Sequence, residues 1–374
     1  MKLECDYVVH NPLGGASYVF EKNLIDYMLS KTHKNKIIIS VGAQPNSSPH
    51  FGTMCVFSLA FSLAKKLKEA KKDLDVSILF EVVDTAPSKS VVIDGIEYQY
   101  DLRESKKMDA AMEDFKEILD FHSKRDNIKY RIRKQSEFNN HKEIKDIIKN
   151  IVDNQDKIKH LLDPKYHRLR MRSACPKCGL VDKTGKKTII EGNKLISICP
   201  EHGEYIVDLR KETSKLEYNT PLRNLIRAVL YGMINQSNEY DYEYMRVTGA
   251  DYSGFYQEEL LYKIAAILGY NCNNLPIITY CPQIVDWSGA KLSKSLYVAE
   301  NAYRYLPKYL INYEELKKEY GETGLEYIRE ETDSWIEEPF RLFRNYSIYY
   351  FMKLFEEKEK KQYEHKESTK RSNW

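Results

Sequence analysis

Apolar positions fall along the chain in two rhythms. Lys36-Ile37-Ile38-Ile39-Ser40-Val41 is an almost unbroken aliphatic run that stops at a Gly/Pro/Asn/Ser turn from Gly42 to Pro49. A short run of this kind, bounded by a turn, predicts a strand buried on both faces. From Gly52 to Ala70 the rhythm changes: Val56, Leu59, Ala60, Leu63 and Leu67 recur at helical spacing. Val76 to Val83 is a second buried-strand pattern, ending at Asp84. Strand, turn, helix and strand predict a βαβ unit with a parallel sheet.

The middle of the chain reads differently. Residues 104–165 are highly charged with helical periodicity, and 166–210 show little regular pattern. The strand–turn–helix grammar returns at Tyr244-Met245-Arg246-Val247, which leads into Thr248-Gly249-Ala250-Asp251. A helix is predicted from Gly254 to Leu268, stopped by Gly269. A strand follows from Pro276 to Tyr280, then a polar loop from Asp286 to Ser295. From Asn301 onward the pattern is helical, and Glu357 to Arg371 is a charged, frayed tail. The expected fold is α/β, a doubly wound parallel sheet of the Rossmann-like nucleotide-binding kind, split by a helical insertion with a cysteine knuckle. The divisions fall at 1–103 and 236–300 for the two halves of the sheet domain, 104–235 for the insertion, and 301–374 for a short C-terminal helical region.

Composition narrows the class without naming a partner. Hydrophobic residues are 42% and charged residues 30%, the balance of a globular chain rather than a disordered one. The 58 basic and 55 acidic side chains leave a formal charge of +3, which neither demands nor excludes nucleic acid. No apolar run reaches the ~18 residues of a membrane span, and Met1 to Asp6 begins no secretory leader, so a cytoplasmic protein without a membrane partner is expected. Seven cysteines in such a chain argue against a disulfide framework. Three of them, Cys175, Cys178 and Cys199, stand with His202 as two x-x-spaced pairs, each followed by glycine. That is the spacing of a structural Cys3His zinc knuckle, with no ligand position left open for catalysis. An unmetallated or redox-sensing cluster is the alternative.

Two loops carry candidate chemistry. Pro45-Asn46-Ser47-Ser48-Pro49-His50-Phe51-Gly52-Thr53 joins the first strand to its helix. A helix N-terminus at the carboxyl end of a sheet strand offers free N–H groups and a positive dipole end to phosphate. Gly52 lets a ligand approach the backbone, and His50 can donate a hydrogen bond to a phosphate oxygen as charge develops. Lys291-Leu292-Ser293-Lys294-Ser295 lies after a late strand. Its two ammonium groups suit a triphosphate whose charge grows in a transition state. Taken singly, each loop also reads as an ordinary turn or a solvated surface.

The pairing of the two loops resembles class I aminoacyl-tRNA synthetases. His50-Phe51-Gly52-Thr53 is similar to the family's HIGH signature, with Thr53 in place of its second histidine, and Lys291 to Ser295 is similar to KMSKS. Gly249-Ala250-Asp251 resembles the G-x-D segment that holds the adenosine ribose. Gln135-Ser136-Glu137-Phe138, the run to Leu162 and the cysteine knuckle resemble class I lysyl-tRNA synthetase in particular. The chain departs from that branch at Leu216 to Arg223 and at Gly249 to Tyr252, both near the amino-acid pocket. It also departs over 296–374, where family members carry a long helical anticodon-binding region.

The resemblance implies ATP-dependent activation of an amino acid to the aminoacyl-adenylate. His50, Lys291 and Lys294 would be catalytic, and Asn46, Gly52, Thr53, Gly249, Asp251, Ser293 and Ser295 would bind ATP. Position in the fold suggests Gly42, Gln44, Asp84, Tyr252, Tyr256 and Gln257 for the amino acid, with Asp84 free to pair with a substrate ammonium. The implied cofactors are ATP with Mg2+ and a structural Zn2+. The implied substrate is lysine or a cationic relative, and the acceptor is either a tRNA acceptor stem, read without its anticodon, or a small molecule or carrier protein. A nucleotidylyltransferase of the same fold and a non-catalytic RNA-binding paralogue remain open.

Overall fold

The computed structural model describes residues 23–104, 107–286, 288–292, 303 and 306–372. After a short helix, α1 (Leu24–Ser30), the aliphatic run becomes strand β1 (Lys36–Ala43) and the helical run becomes α2 (Phe51–Ala70). Strand β2 (Asp75–Val82) completes the βαβ unit, parallel to β1 along its whole length. A hairpin of β3 (Pro87–Ile93) and β4 (Ile96–Asp101) follows. Its turn is Asp94-Gly95, both at positive φ, the geometry that matches the twist of a two-residue hairpin. Next come α3 (Lys107–Asp126), β5 (Tyr130–Lys134), α4 (Gln135–Asn139), α5 (Ile144–Asp153) and α6 (Gln155–Leu162).

Short strands fill the stretch that looked patternless. They are β6 (Met171–Ser173), β7 (Leu180–Asp182), β8 (Thr188–Glu191), β9 (Lys194–Cys199), β10 (Gly203–Asp208) and β11 (Leu216–Tyr218). Then follow α7 (Thr220–Gln236), β12 (Glu243–Gly249), a π-helical segment (Tyr256–Tyr262), α8 (Lys263–Ile267), β13 (Ile278–Cys281) and β14 (Ile284–Val285). The C-terminal part is α9 (Tyr313–Tyr320), α10 (Glu322–Glu337), α11 (Pro339–Leu342), β15 (Tyr346–Ser347) and α12 (Ile348–Ser372).

The central sheet has the order β13-β12-β1-β2-β5, with every pair parallel. The strand order reverses between β1 and β12, and in such sheets ligands bind at the carboxyl ends beside that reversal. Alternation along each strand feeds two cores. Ile37, Ile39, Val41, Ile78, Phe80, Met245 and Val247 face one side, with α2 and the C-terminal helices. Ile38, Leu79, Tyr244 and Ile278 face the other, with α5, α6 and α7. Helices on both faces are why the strands read as continuous aliphatic runs rather than alternating ones.

Three expectations are corrected. The charged stretch 104–165 is not wholly helical: Tyr130–Lys134 is an edge strand of the central sheet, so the segment 104–235 supplies part of that layer. Its Tyr-Arg-Ile-Arg-Lys sequence has a single aliphatic residue, because an edge strand buries less than a central one. The helix expected from Gly254 to Leu268 begins as a π-helical segment and is α-helical only from Lys263, ending at Gly269 with φ +81. The stretch 357–371 continues α12 rather than fraying at its start. The C-terminal helices also share the core of the sheet domain. Ser58 Oγ and Ser62 Oγ of α2 lie 2.7 and 3.0 Å from Thr332 Oγ1 of α10, all buried.

Candidate nucleotide and amino-acid site

A cavity of about 340 Å3 opens at the reversal between β1 and β12. One wall is the chain from Gly42 through Gln44 and Asn46 to Thr53; the facing walls are Arg246 to Tyr252 and Pro282 to Leu292. His50 is the N-cap of α2. Its Nδ1 accepts the Thr53 backbone N–H at 3.3 Å, and its Nε2 lies 2.9 Å from Thr53 Oγ1. With Nδ1 accepting, the ring proton sits on Nε2 and donates to Thr53. Thr53 therefore orients the His50 ring. A Cβ on Gly52 would come within 3.3 Å of the His50 ring, so this position keeps the ring in place.

A C-terminal segment braces this loop. The N–H of Phe51 donates to Ile311 O at 3.2 Å, and that of Tyr313 donates to Pro49 O at 2.8 Å. The Glu314 N–H donates to Ser48 Oγ at 3.0 Å. These bonds fix the backbone of the turn that precedes the helix.

On the opposite wall Lys291 Nζ stands 2.6 Å from Asp251 Oδ2. Lys291 is held by a small turn: Val285 pairs with it, Asp286 N–H donates to Ala290 O, and Ser288 N–H donates to Asp286 Oδ1. A Cβ on Gly249 would lie 2.4 Å from Asp251 Oδ1, so the carboxylate folds over the glycine backbone and a side chain there would displace it. Asn46, Gly52, Thr53, Gly249 and Asp251, expected to bind ATP, and His50 and Lys291, expected to be catalytic, thus surround one cavity. Ser293, Lys294 and Ser295 lie outside the described residues.

The amino-acid assignments divide. Gly42, Gln44 and Tyr252 line the cavity. Asp84 does not: it is buried, and its Oδ1 accepts the Gln135 N–H at 3.2 Å, capping the chain after β5. Burial pushes its carboxyl above the usual range against the pull of Arg103. It offers no carboxylate to a substrate ammonium in the cavity. Tyr256 stands behind the wall, where its hydroxyl accepts from Asn224 Nδ2 at 2.9 Å, and Gln257 is buried and bonded to Tyr262.

Sequence reasoning missed the cavity's other side. Arg223, Asn224 and Arg227 of α7 and Arg246 of β12 line it. Arg246 Nη2 donates to Asn224 Oδ1 at 2.6 Å. Beneath them Glu81 is fully buried, 3.7 Å from Arg227 Nε and bonded to Arg133 and the Tyr231 hydroxyl. Burial alone would raise the Glu81 carboxyl; Arg227, Arg133 and Tyr231 overcome it and hold the group below its ordinary value. Burial and the neighbouring Arg227 push Arg223 down to about 10. A signal for these residues existed: Arg223 and Arg227 interrupt the apolar stripe of Leu222, Leu225, Ile226, Val229 and Leu230, and a charge on a core-facing helix side rarely lacks a role.

The knuckle lies apart, on β9 and β10 and the turn before β7. The ligand atoms of Cys175, Cys178, Cys199 and His202 all fall within 4.8 Å of one another. Cys178 and Cys199 sulfurs are 3.6 Å apart, and His202 Nδ1 is 3.6 and 3.8 Å from Cys199 and Cys175. Bonds of about 2.3 Å at tetrahedral angles require ligand separations of this size. Gly179 and Gly203 follow each pair at φ +74 and +76, conformations that turn the chain back around the ligands. Among the described residues no helix is long and apolar enough to cross a membrane.

No protein-family model matches the chain, and no curated protein matches its sequence. Solved structures to which it is similar include a protein given as an arginyl-tRNA synthetase from Campylobacter jejuni, at 13% identity and a TM-score of 0.29, over 82% of this chain and 67% of that one. Another is the arginyl-tRNA synthetase of Thermus thermophilus, at 12% identity and a TM-score of 0.32, over 85% of this chain and 60% of that one.

Proposed function

We propose that the protein activates an amino acid with ATP, giving an aminoacyl-adenylate and pyrophosphate. The observation that carries this reading is the convergence of three elements on one cavity: the His50–Thr53 helix start, the Gly249–Asp251 strand end and Lys291. In the reaction a carboxylate oxygen attacks the α-phosphorus in line. The bond from that phosphorus to the bridging oxygen of the β-phosphate breaks, and pyrophosphate leaves. No covalent bond to the protein is needed, so positioning and charge stabilisation supply the rate.

The residues have distinct tasks in this reading. The positive end of the α2 dipole and the His50 ring face the phosphates, and Asp251 accepts from the ribose hydroxyls. Lys291, released from Asp251 by the incoming ribose, turns to the phosphates with Lys294, and Mg2+ accompanies the nucleotide. Cys175, Cys178, Cys199 and His202 fit one structural Zn2+, which would lock the β9–β10 turn. The acceptor of the activated group is a tRNA acceptor stem or a small molecule or carrier protein.

The test is ATP–pyrophosphate exchange over a panel of all common amino acids. Exchange dependent on one amino acid supports the reading. Exchange with none, under conditions where ATP binds, rejects it.

A further inference from the structure

The cavity has two sides, divided by the edge of the sheet. The phosphate-facing elements, α2 and its loop, lie on one face; α7 lies on the other. Arg246 belongs to the α7 side, since Tyr244 two residues earlier faces that core and Arg246 bonds Asn224 of α7. This second side holds Arg223, Arg227 and Arg246, each at least nine-tenths buried. Asp251, tied to Lys291, is the one carboxylate among the described residues lining the whole cavity.

The arginines are short of partners. Glu81 is shared between Arg133 and Arg227, so it answers at most one of the guanidiniums that reach the cavity. Among the described residues Arg223 and Arg246 pair with no carboxylate, and Arg227 Nε donates to nothing. An arginine stays charged even when buried. A buried charge left without a counter-charge is strongly destabilising, so such a cluster is retained where something anionic completes it.

We infer that the arginine side of the cavity receives a second anionic group, so that the activated amino acid carries a negatively charged side chain. This rests on the adenylation reading and deepens it. Any amino acid brings one α-carboxylate, and that group must stay on the α2 side to attack phosphorus. Three guanidiniums across the sheet edge call for another anion, a side-chain carboxylate or phosphate, and they repel a lysine ammonium.

The full chain is titrated by calorimetry with L-glutamate, L-aspartate, O-phospho-L-serine and L-lysine, with and without a non-hydrolysable ATP analogue. The same amino acids are offered in pyrophosphate exchange. One acidic amino acid is expected to bind at least about tenfold more tightly than lysine, the scale of one charge-assisted contact. Arg223→Met and Arg246→Met should each weaken that binding about tenfold or more while leaving the ATP analogue's affinity within about twofold. Glutamate and phosphoserine separate a carboxylate from a phosphate. Tight acidic binding without exchange supports the arginine side as the site of an acidic group and removes the adenylation reading. Exchange with lysine or a neutral amino acid overturns the inference and keeps adenylation. Absence of acidic binding overturns it, as do arginine variants that weaken only ATP. Should both variants fail to fold, the wild-type panel decides alone.

Discussion

The Lys291 ammonium is 2.6 Å from the Asp251 carboxylate, so two segments of the cavity wall, forty residues apart, are tied to each other. In the proposed adenylation, a ribose that takes Asp251 would free Lys291 for the phosphates, coupling recognition of the nucleoside to stabilisation of the leaving charge.

Lys291→Ala and His50→Asn should each lower the exchange rate by about 10²-fold or more, the scale of losing one preorganised donor. Asparagine is a good helix N-cap, so His50→Asn keeps α2 capped and isolates the chemistry. Thermal melts run in parallel should stay within a few degrees of the parent. Wild-type exchange by both variants at saturating ATP would refute the assignments.

Phe51, the first residue of α2, meets Phe351 edge to face at 4.8 Å, and both rings are fully buried. Phe351→Ala should cost about 3–5 kcal/mol in a urea titration, as other buried Phe truncations do. Because the same C-terminal part braces the His50 turn, exchange should decline at temperatures where the parent is still active. A loss under about 1 kcal/mol would show that α12 does not hold the site helix.

Protein purified without chelator should carry one zinc per chain, and Cys199→Ser should carry markedly less. Binding energy at such a site is folding energy, so the variant should melt earlier and expose β9–β10 to proteolysis. Zinc-free wild-type protein with an unchanged melt would remove the metal from the reading.

Glu217 is fully buried beside Asp101; burial and that neighbour push its carboxyl well above the usual range, against Arg172 and Arg103. A folded value above the unfolded one means that the contribution is complete at low pH and is lost as pH rises through the folded value. Glu217→Gln stays neutral throughout. Its stability relative to the parent should therefore improve from pH 5 to pH 8, by urea titration at each pH. A parent that gains on the variant over that range would reverse the sign.

The βαβ start, the helix after it and the strand at Tyr244 were legible because both-face burial writes long aliphatic runs, and a helix against a sheet writes a 3.6 period. The cysteine cluster was legible because each of its two pairs has a short internal spacing, closed by a turn at Gly179 or Gly203. That His50, Asp251 and Lys291 would meet at one edge of the sheet was legible from their loops following sheet strands. The Asp94-Gly95 hairpin was readable and missed; its dipeptide sits between two β-rich runs. Other features belong to the tertiary structure alone. Strand β5 pairs with β2 despite a charged sequence, since an edge position needs backbone partners more than apolar side chains. Asp84 turned away to cap Gln135, a choice set by where β5 ends. The arginine wall arises because α7 and β12 are brought to the same sheet edge as the loop at His50. Charge at 223, 227 and 246 is plain in the sequence; that the three guanidiniums face one enclosed space is decided by the crossover that sets β12 beside β1.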